Sequence, residues 1–289
     1  MFGHGYCGQL RESELVCDEI IKLANGDPHL GAQVGGLSPL LAAEWFRLWC
    51  IGFMRDPVSF FQQLAVRRQL ALDSGYPEQV LWGLCREAEL RWALGSSDGT
   101  PALAQTAVRI AENLGVGNQI QAALTQCYSL AYDREWQPSL DVAADTLRLI
   151  RERGAMRLFE PSFLAHIGAA HLELGNLQAG RTAALEGVTF MREAKCALSP
   201  HSYAILARAQ LALAEPAADI VATLDEYAAL LERTGFHLYE GELHELRARL
   251  AAREGHHAEQ TAALRRAHDS YTHFGMTVHL ARLQRDFGL

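Results

Sequence analysis

Histidine is the residue type whose crowding most suggests chemistry. Seven of the twelve lie in the last 53 residues: His237, His244, His256, His257, His268, His273 and His279. A helical zinc pair needs i,i+4 spacing, so that both imidazoles leave one face. The successive spacings are 7, 12, 1, 11, 5 and 6, and His166 and His171 stand five apart. None fits, and neither a metal nor another cofactor is expected. Glu240, Glu242 and Glu245 would do acid–base work only in a cleft that shifts their pKa values. They read instead as a solvated helix face, with Arg247, Arg249, Arg265 and Arg266 as balancing surface charges. The six cysteines (Cys7, Cys17, Cys50, Cys85, Cys127, Cys196) form no CxxC, and thiols such as Cys85 read as reduced core filler. Gly3, Gly5 and Gly8 are spaced like a dinucleotide loop but follow no strand, so a frayed terminus is expected. No GxxxxGK[ST], GxSxG or HExxH occurs, and a catalytic role is not expected.

The charge balance narrows the partners. Lys and Arg total 26 against 34 Asp and Glu, a net charge of −8, which argues against a nucleic-acid surface. Only two lysines occur (Lys22, Lys195), leaving 24 arginines and no lysine-rich tail. No apolar run reaches the roughly 18 residues that a membrane span needs. The opening MFGHGYCGQLRESEL has neither the basic nor the apolar region of a secretory signal, so a cytoplasmic protein is expected.

Glycine spacing shows what must position these residues. Gly75, Gly115, Gly154, Gly235 and Gly275 follow apparent helix ends at intervals of 40, 39, 81 and 40, with one member missing near Lys195-Cys196. Gly95, Gly175 and Gly255 run at 80 and 80, half a period out of step. Two interleaved series mark the two turns of a helix–turn–helix unit, where glycine takes the left-handed conformation without steric penalty. The intervening text is helical. Phe163, Ile167, Ala170 and Leu174 form one apolar stripe, as do Leu224, Tyr227, Leu231 and Thr234. Ser38-Pro39, Thr100-Pro101 and Ser199-Pro200 place a capping hydroxyl before a proline at helix starts.

These marks predict an all-α, TPR-like right-handed α-solenoid of about six helix–turn–helix repeats with a period near 40 residues. A single domain over 1–289 is expected, with an N-terminal helix and loop (1–36), repeats (37–275) and a C-terminal cap (276–289). An unpaired helix falls near 10–24, helix pairs near 38–74, 77–114, 117–153, 157–195, 199–234 and 237–274, and a short cap near 276–287.

Phe163–Gly187 resembles a tetratricopeptide repeat. Leu164, Ile167-Gly168, Gly175-Asn176, Gly180 and Ala184 stand near that motif's aromatic, Leu-Gly, Gly-Asp and small-residue positions. The usual aromatics are missing, His171 stands where Tyr is common, and the period exceeds the family's usual value of about 34. Across nearly the whole chain, Asp27–Leu40 and Tyr239–Leu283 resemble the C-terminal helical-repeat region of bacterial proteins that join a class III nucleotide cyclase to a STAND-type ATPase. Related regions occur in LuxR-type activators. The resemblance implies a regulatory or sensor scaffold rather than a catalyst.

Register then groups the aromatic residues. Trp45, Trp49, Trp82 and Trp92 share the first helices of two successive pairs, and Tyr132 falls one period beyond Trp92. In tetratricopeptide arrays these positions face the concave groove, which implies an aromatic groove rimmed by Glu89 and Arg86. The other reading makes the tryptophans inter-repeat core. The leading functional expectation is a non-enzymatic domain that binds a protein or peptide segment, including upstream domains of a longer parent. The alternatives are a small-molecule (inducer) sensor and a structural oligomerisation scaffold, and homo-oligomers stay open. An apolar pocket with one or two convergent polar groups favours a small molecule; a long open groove favours a peptide.

Overall fold

A computed structural model describes residues 2–96 and 98–288. Among these residues the only regular structure is helical, and the sequence-derived pairs are all present. They are α4 (Pro39–Met54) with α5 (Pro57–Asp73), α6 (Pro77–Leu94) with α7 (Thr100–Ala111), and α8 (Val116–Tyr132) with α9 (Trp136–Arg153). Then come α10 (Glu160–Glu173) with α11 (Leu177–Ala194), α12 (His201–Ala212) with α13 (Ala217–Thr234), α14 (Glu240–Arg253) with α15 (His257–His273), and the capping α16 (Thr277–Phe287). Ahead of them stand α1 (Phe2–Tyr6), α2 (Leu10–Ala24) and α3 (Ala32–Gly35). No helix among the described residues is long and apolar enough to cross a membrane.

Burial separates the two helices of each pair. In α4 every side chain but Pro39 and Arg47 is buried, so this helix packs on several sides, and its one buried carboxylate, Glu44, is paired with Arg67 at 2.8 Å. In α5 only Pro57, Phe60, Leu64 and Ala71 are buried, one stripe that leaves the other face to solvent. First helices therefore form an inner layer, each packed on the next, and second helices an outer one. Within a pair the backbones approach closely: a Cβ added at Gly180 would come 3.0 Å from the carbonyl oxygen of Gly168.

The turns follow the glycine period beyond the glycines themselves. Gly75, Gly154, Gly235 and Gly275 have φ of +61° to +76°, and Lys195 takes φ +50° at the position where the first series skips. Arg134 (φ +60°) and Ala214 (φ +53°) likewise fill the gaps between Gly95, Gly175 and Gly255. Gly115 is the exception, with φ −66° at the start of α8.

Three local expectations are corrected. Ser38 caps α4, accepting a hydrogen bond from the Leu41 N–H at 3.2 Å. Thr100 instead lies inside α7, and Ser199 precedes α12 by two residues and accepts from the Ser202 hydroxyl at 3.2 Å. The helix at 10–24 does not stand apart. It packs on α4, with Glu14 and Asp18 paired to Arg55 and Arg47. Nor is the glycine-bearing terminus frayed. The Tyr6 carbonyl accepts from the Ala197 N–H at 2.9 Å, and a Cβ on Gly8 would lie 2.6 Å from Thr234 Cγ2. Residues 2–8 thus strap α4 to the fifth pair.

The two ends of the array also meet directly. Phe236 packs edge-on against Trp49 and Phe53 (ring centroids 5.4 and 6.0 Å), and Tyr239 lies 5.9 Å from Phe53. His279 Nε2 of α16 lies 3.3 Å from the Ala93 carbonyl of α6. These contacts cover part of the inner face of the first repeats.

Candidate functional site

The aromatic register converges where α4 faces α6. Trp45, Phe46 and Trp49 of α4, Trp82 and Arg86 of α6, and Gln121 of α8 surround a cavity of about 240 Å3. Met156 and Phe159, Leu198 and Tyr6 complete its wall. Ala42, Trp82 and Gln121, at intervals of 40 and 39, are one repeat position used three times, and all three line the space.

Trp45 and Trp49 are almost fully buried, whereas Trp82 is half-buried and donates its indole N–H to Asn118 Oδ1 at 3.3 Å. The polar side of the wall is an ion pair: Arg86 Nη1 lies 2.6 Å from Glu89 Oε2. The same carboxylate oxygen accepts the Trp49 indole N–H at 3.2 Å, and the Arg86 guanidinium lies 5.8 Å from the Trp49 ring. Burial raises the Glu89 pKa, and Arg86 and the indole N–H oppose that rise. Burial and the nearby Glu89 both push the Tyr128 and Tyr239 hydroxyls well above their usual range.

Trp92 and Tyr132 lie apart from this cavity. Trp92 belongs to a neighbouring cluster, 5.1 Å from Tyr128, 5.6 Å from His166 and 4.6 Å from His201 between ring centroids. Tyr132 sits half-buried at the C-terminal end of α8 and joins neither group. It is Tyr128, the successor of Trp49 and Glu89 at steps of 40 and 39, that faces inward. Burial, reinforced by His201, holds His166 at a pKa of about 3. His201 Nδ1 lies 3.2 Å from Glu242 Oε2; burial, the largest single effect, raises that carboxyl's pKa, but His201, Arg208 and Arg282 together outweigh it and hold it at about 2.

The carboxylates of α14 are not the solvated face expected of them. Glu245 is buried and accepts from Arg249 (2.9 Å), Arg282 (2.5 Å) and the Tyr271 hydroxyl (2.9 Å), while Glu240 pairs with His237 at 2.7 Å. His279 stacks on Tyr271 at 5.0 Å. No group of three His, Cys, Asp or Glu among the described residues is arranged to hold a metal ion. Cys85 donates its S–H toward the Gln121 carbonyl at 3.6 Å, and burial pushes its thiol up to about 11.

Register alone could have found Gln121, as the successor of Trp82. Tyr6, Met156, Phe159 and Leu198 carried no comparable signal, because they lie in the strap and in the links between pairs. A second, open groove of about 960 Å3 runs past Leu172, Leu211, Leu246, Arg249, Arg282 and Phe287, across α10, α12, α14 and α16. Its arginines are already partnered, Arg208 by Glu173 and Arg249 by Glu245 and Asp286. No family model matches the chain, and no curated protein matches it either.

Proposed function

We propose that this chain is a helical-repeat binding domain whose ligand is a small, mainly apolar molecule held in the cavity between α4, α6 and α8. The observation that carries the reading is the cavity itself: about 240 Å3, walled by Trp45, Phe46, Trp49 and Trp82, with Arg86 and Gln121 as convergent polar groups. A small, mainly apolar pocket with few polar groups suits a small molecule, and a peptide segment needs a longer trough. In a parent of the cyclase–ATPase kind the domain would act as the sensor. A ligand that prefers one arrangement of the strap and repeats would shift the population of that arrangement.

Mass spectrometry of the protein isolated from its source cells, before and after denaturation, tests this reading. The expected result is a released small molecule that is missing from Leu198→Trp, in which a larger side chain fills the cavity. A molecule retained equally by that variant would place its site elsewhere.

The second reading is the peptide or protein partner, supported by the open groove along α10, α12, α14 and α16. Loss of partner capture on Leu246→Arg, with capture unaffected by Leu198→Trp, would favour it over the cavity.

A further inference from the structure

Three properties of the cavity constrain what fits it, given the binding role proposed above. The first is size. An engineered apolar cavity of about 150 Å3 takes up benzene, so about 240 Å3 has room for two fused rings but not for a helix or a sugar chain. The second is wall chemistry. Trp45, Phe46, Trp49, Trp82 and Phe159 present aromatic surfaces, which favour flat ring systems in offset or edge contacts.

The third is the state of the polar groups. Arg86 is already neutralised by Glu89 at 2.6 Å, and Glu89 also accepts the Trp49 N–H. A charged ligand would have to displace a buried partner and leave it unpaired, which is strongly unfavourable. The Trp45 indole N–H on the same wall is buried without a hydrogen-bond partner among the described residues, and Gln121 differs from both. It is 8% exposed and lines the cavity, and its side-chain amide has no hydrogen-bond partner among the described residues, although its backbone carbonyl accepts from Thr125 and Cys85. A primary amide offers an N–H donor and a C=O acceptor side by side. Both Gln121 atoms stay in reach of water in the cavity, so a ligand that displaces this water without replacing its hydrogen bonds is penalised.

We propose that the cavity selects an uncharged, planar heteroaromatic of one or two rings that carries a lactam-type edge. Its adjacent N–H and C=O would close two parallel hydrogen bonds with the Gln121 amide. The rings would fill the space between Trp45, Trp49 and Trp82, and the Arg86–Glu89 pair would stay intact at the margin.

Titration of the full chain with four probes of matched size, followed by calorimetry, tests this. The probes are quinolin-2(1H)-one, quinoline, naphthalene and quinoline-2-carboxylate. The expected order places the quinolinone on the order of tenfold or more above naphthalene, the effect of closing one or two buried hydrogen bonds. Quinoline should fall between them, and the carboxylate should bind weakest. Gln121→Met, which keeps the side-chain volume, should bring quinolinone and naphthalene to equal affinity. The more conservative Gln121→Glu should weaken the quinolinone again without emptying the site for naphthalene. If naphthalene binds, and Leu198→Trp abolishes that binding, but the quinolinone gains nothing or keeps its gain in Gln121→Met, the lactam inference falls and the cavity reading stands. If no probe binds, both fall.

Discussion

Trp49 and Glu89 stand 40 residues apart, one repeat period, and are joined directly by the indole N–H donating to the carboxylate at 3.2 Å. Equivalent positions of successive repeats therefore touch, and a polar contact crosses the seam between α4 and α6. Glu89→Gln keeps an acceptor for the indole but removes the charge facing Arg86, whose side chain is 18% exposed. Breaking such a buried pair from one side costs about 3 kcal/mol or more. Denaturant unfolding should show that loss. The double variant Arg86→Met, Glu89→Gln should recover much of it, because no buried charge is then left unpaired. Additive losses would mean that the two residues are not energetically coupled.

Acid should weaken the fold before most carboxylates titrate. His166, held at about 3 against an ordinary value of 6.5, stays neutral in the folded protein. As pH falls below 6.5 the unfolded chain binds a proton that the folded one does not accept until about 3. Its contribution is thus complete above 6.5 and declines through that window, by up to about 1.4 kcal/mol per pH unit. His166→Phe retains a ring against Trp92 and Tyr128 and should flatten the stability profile between pH 6.5 and 4.5. An unchanged slope would assign the acid sensitivity to other groups.

Thiol reactivity reports on the N-terminal strap. Cys7 is exposed and the other five cysteines are buried, so an aromatic disulfide reagent should titrate one thiol in the native protein and six after denaturation. Gly8→Ala places a Cβ at φ +84°, 2.6 Å from Thr234 Cγ2 and 2.9 Å from Ala197 Cβ, and should lift the strap. Cys196, whose thiol feels Cys7 across this contact, should then react as a second group. A variant that still shows one reactive thiol would mean that the strap stays seated.

Two glycine-to-alanine changes should have opposite signs. Gly180→Ala drives a Cβ to 2.8 Å from Leu172 Cδ2 and 3.0 Å from the Gly168 carbonyl oxygen. Overpacking costs about 1–3 kcal/mol, which outweighs the gain in helix propensity of roughly 1 kcal/mol. Gly115→Ala sits at φ −66° with nothing within 4 Å of the new Cβ. Reduced freedom of the unfolded chain should stabilise it by about 0.4–1 kcal/mol. Thermal melts of the two variants check both signs at once.

The repeat was legible in the sequence because its cause is local. A helix end needs a left-handed residue, glycine supplies it most cheaply, and 3.6-residue stripes mark the buried faces between those ends. The conformation persists at Arg134, Lys195 and Ala214, where no glycine announces it, because packing on both sides of the turn fixes the backbone. Register also brought Trp45, Trp49, Trp82 and Arg86 to one place, since one period of sequence is one step of stacking. What register could not give was curvature. Only the closed tertiary structure sets Phe236 against Trp49, His279 against Ala93 and Tyr6 against the cavity, through contacts between residues far apart in the chain. The same closure buries Glu245, which the local pattern assigned to solvent, by bringing Arg282 of α16 onto it. A small rotation between successive pairs, summed over six pairs, decides whether the inner face is a long groove or a short pocket, and that sum is not written in any single repeat.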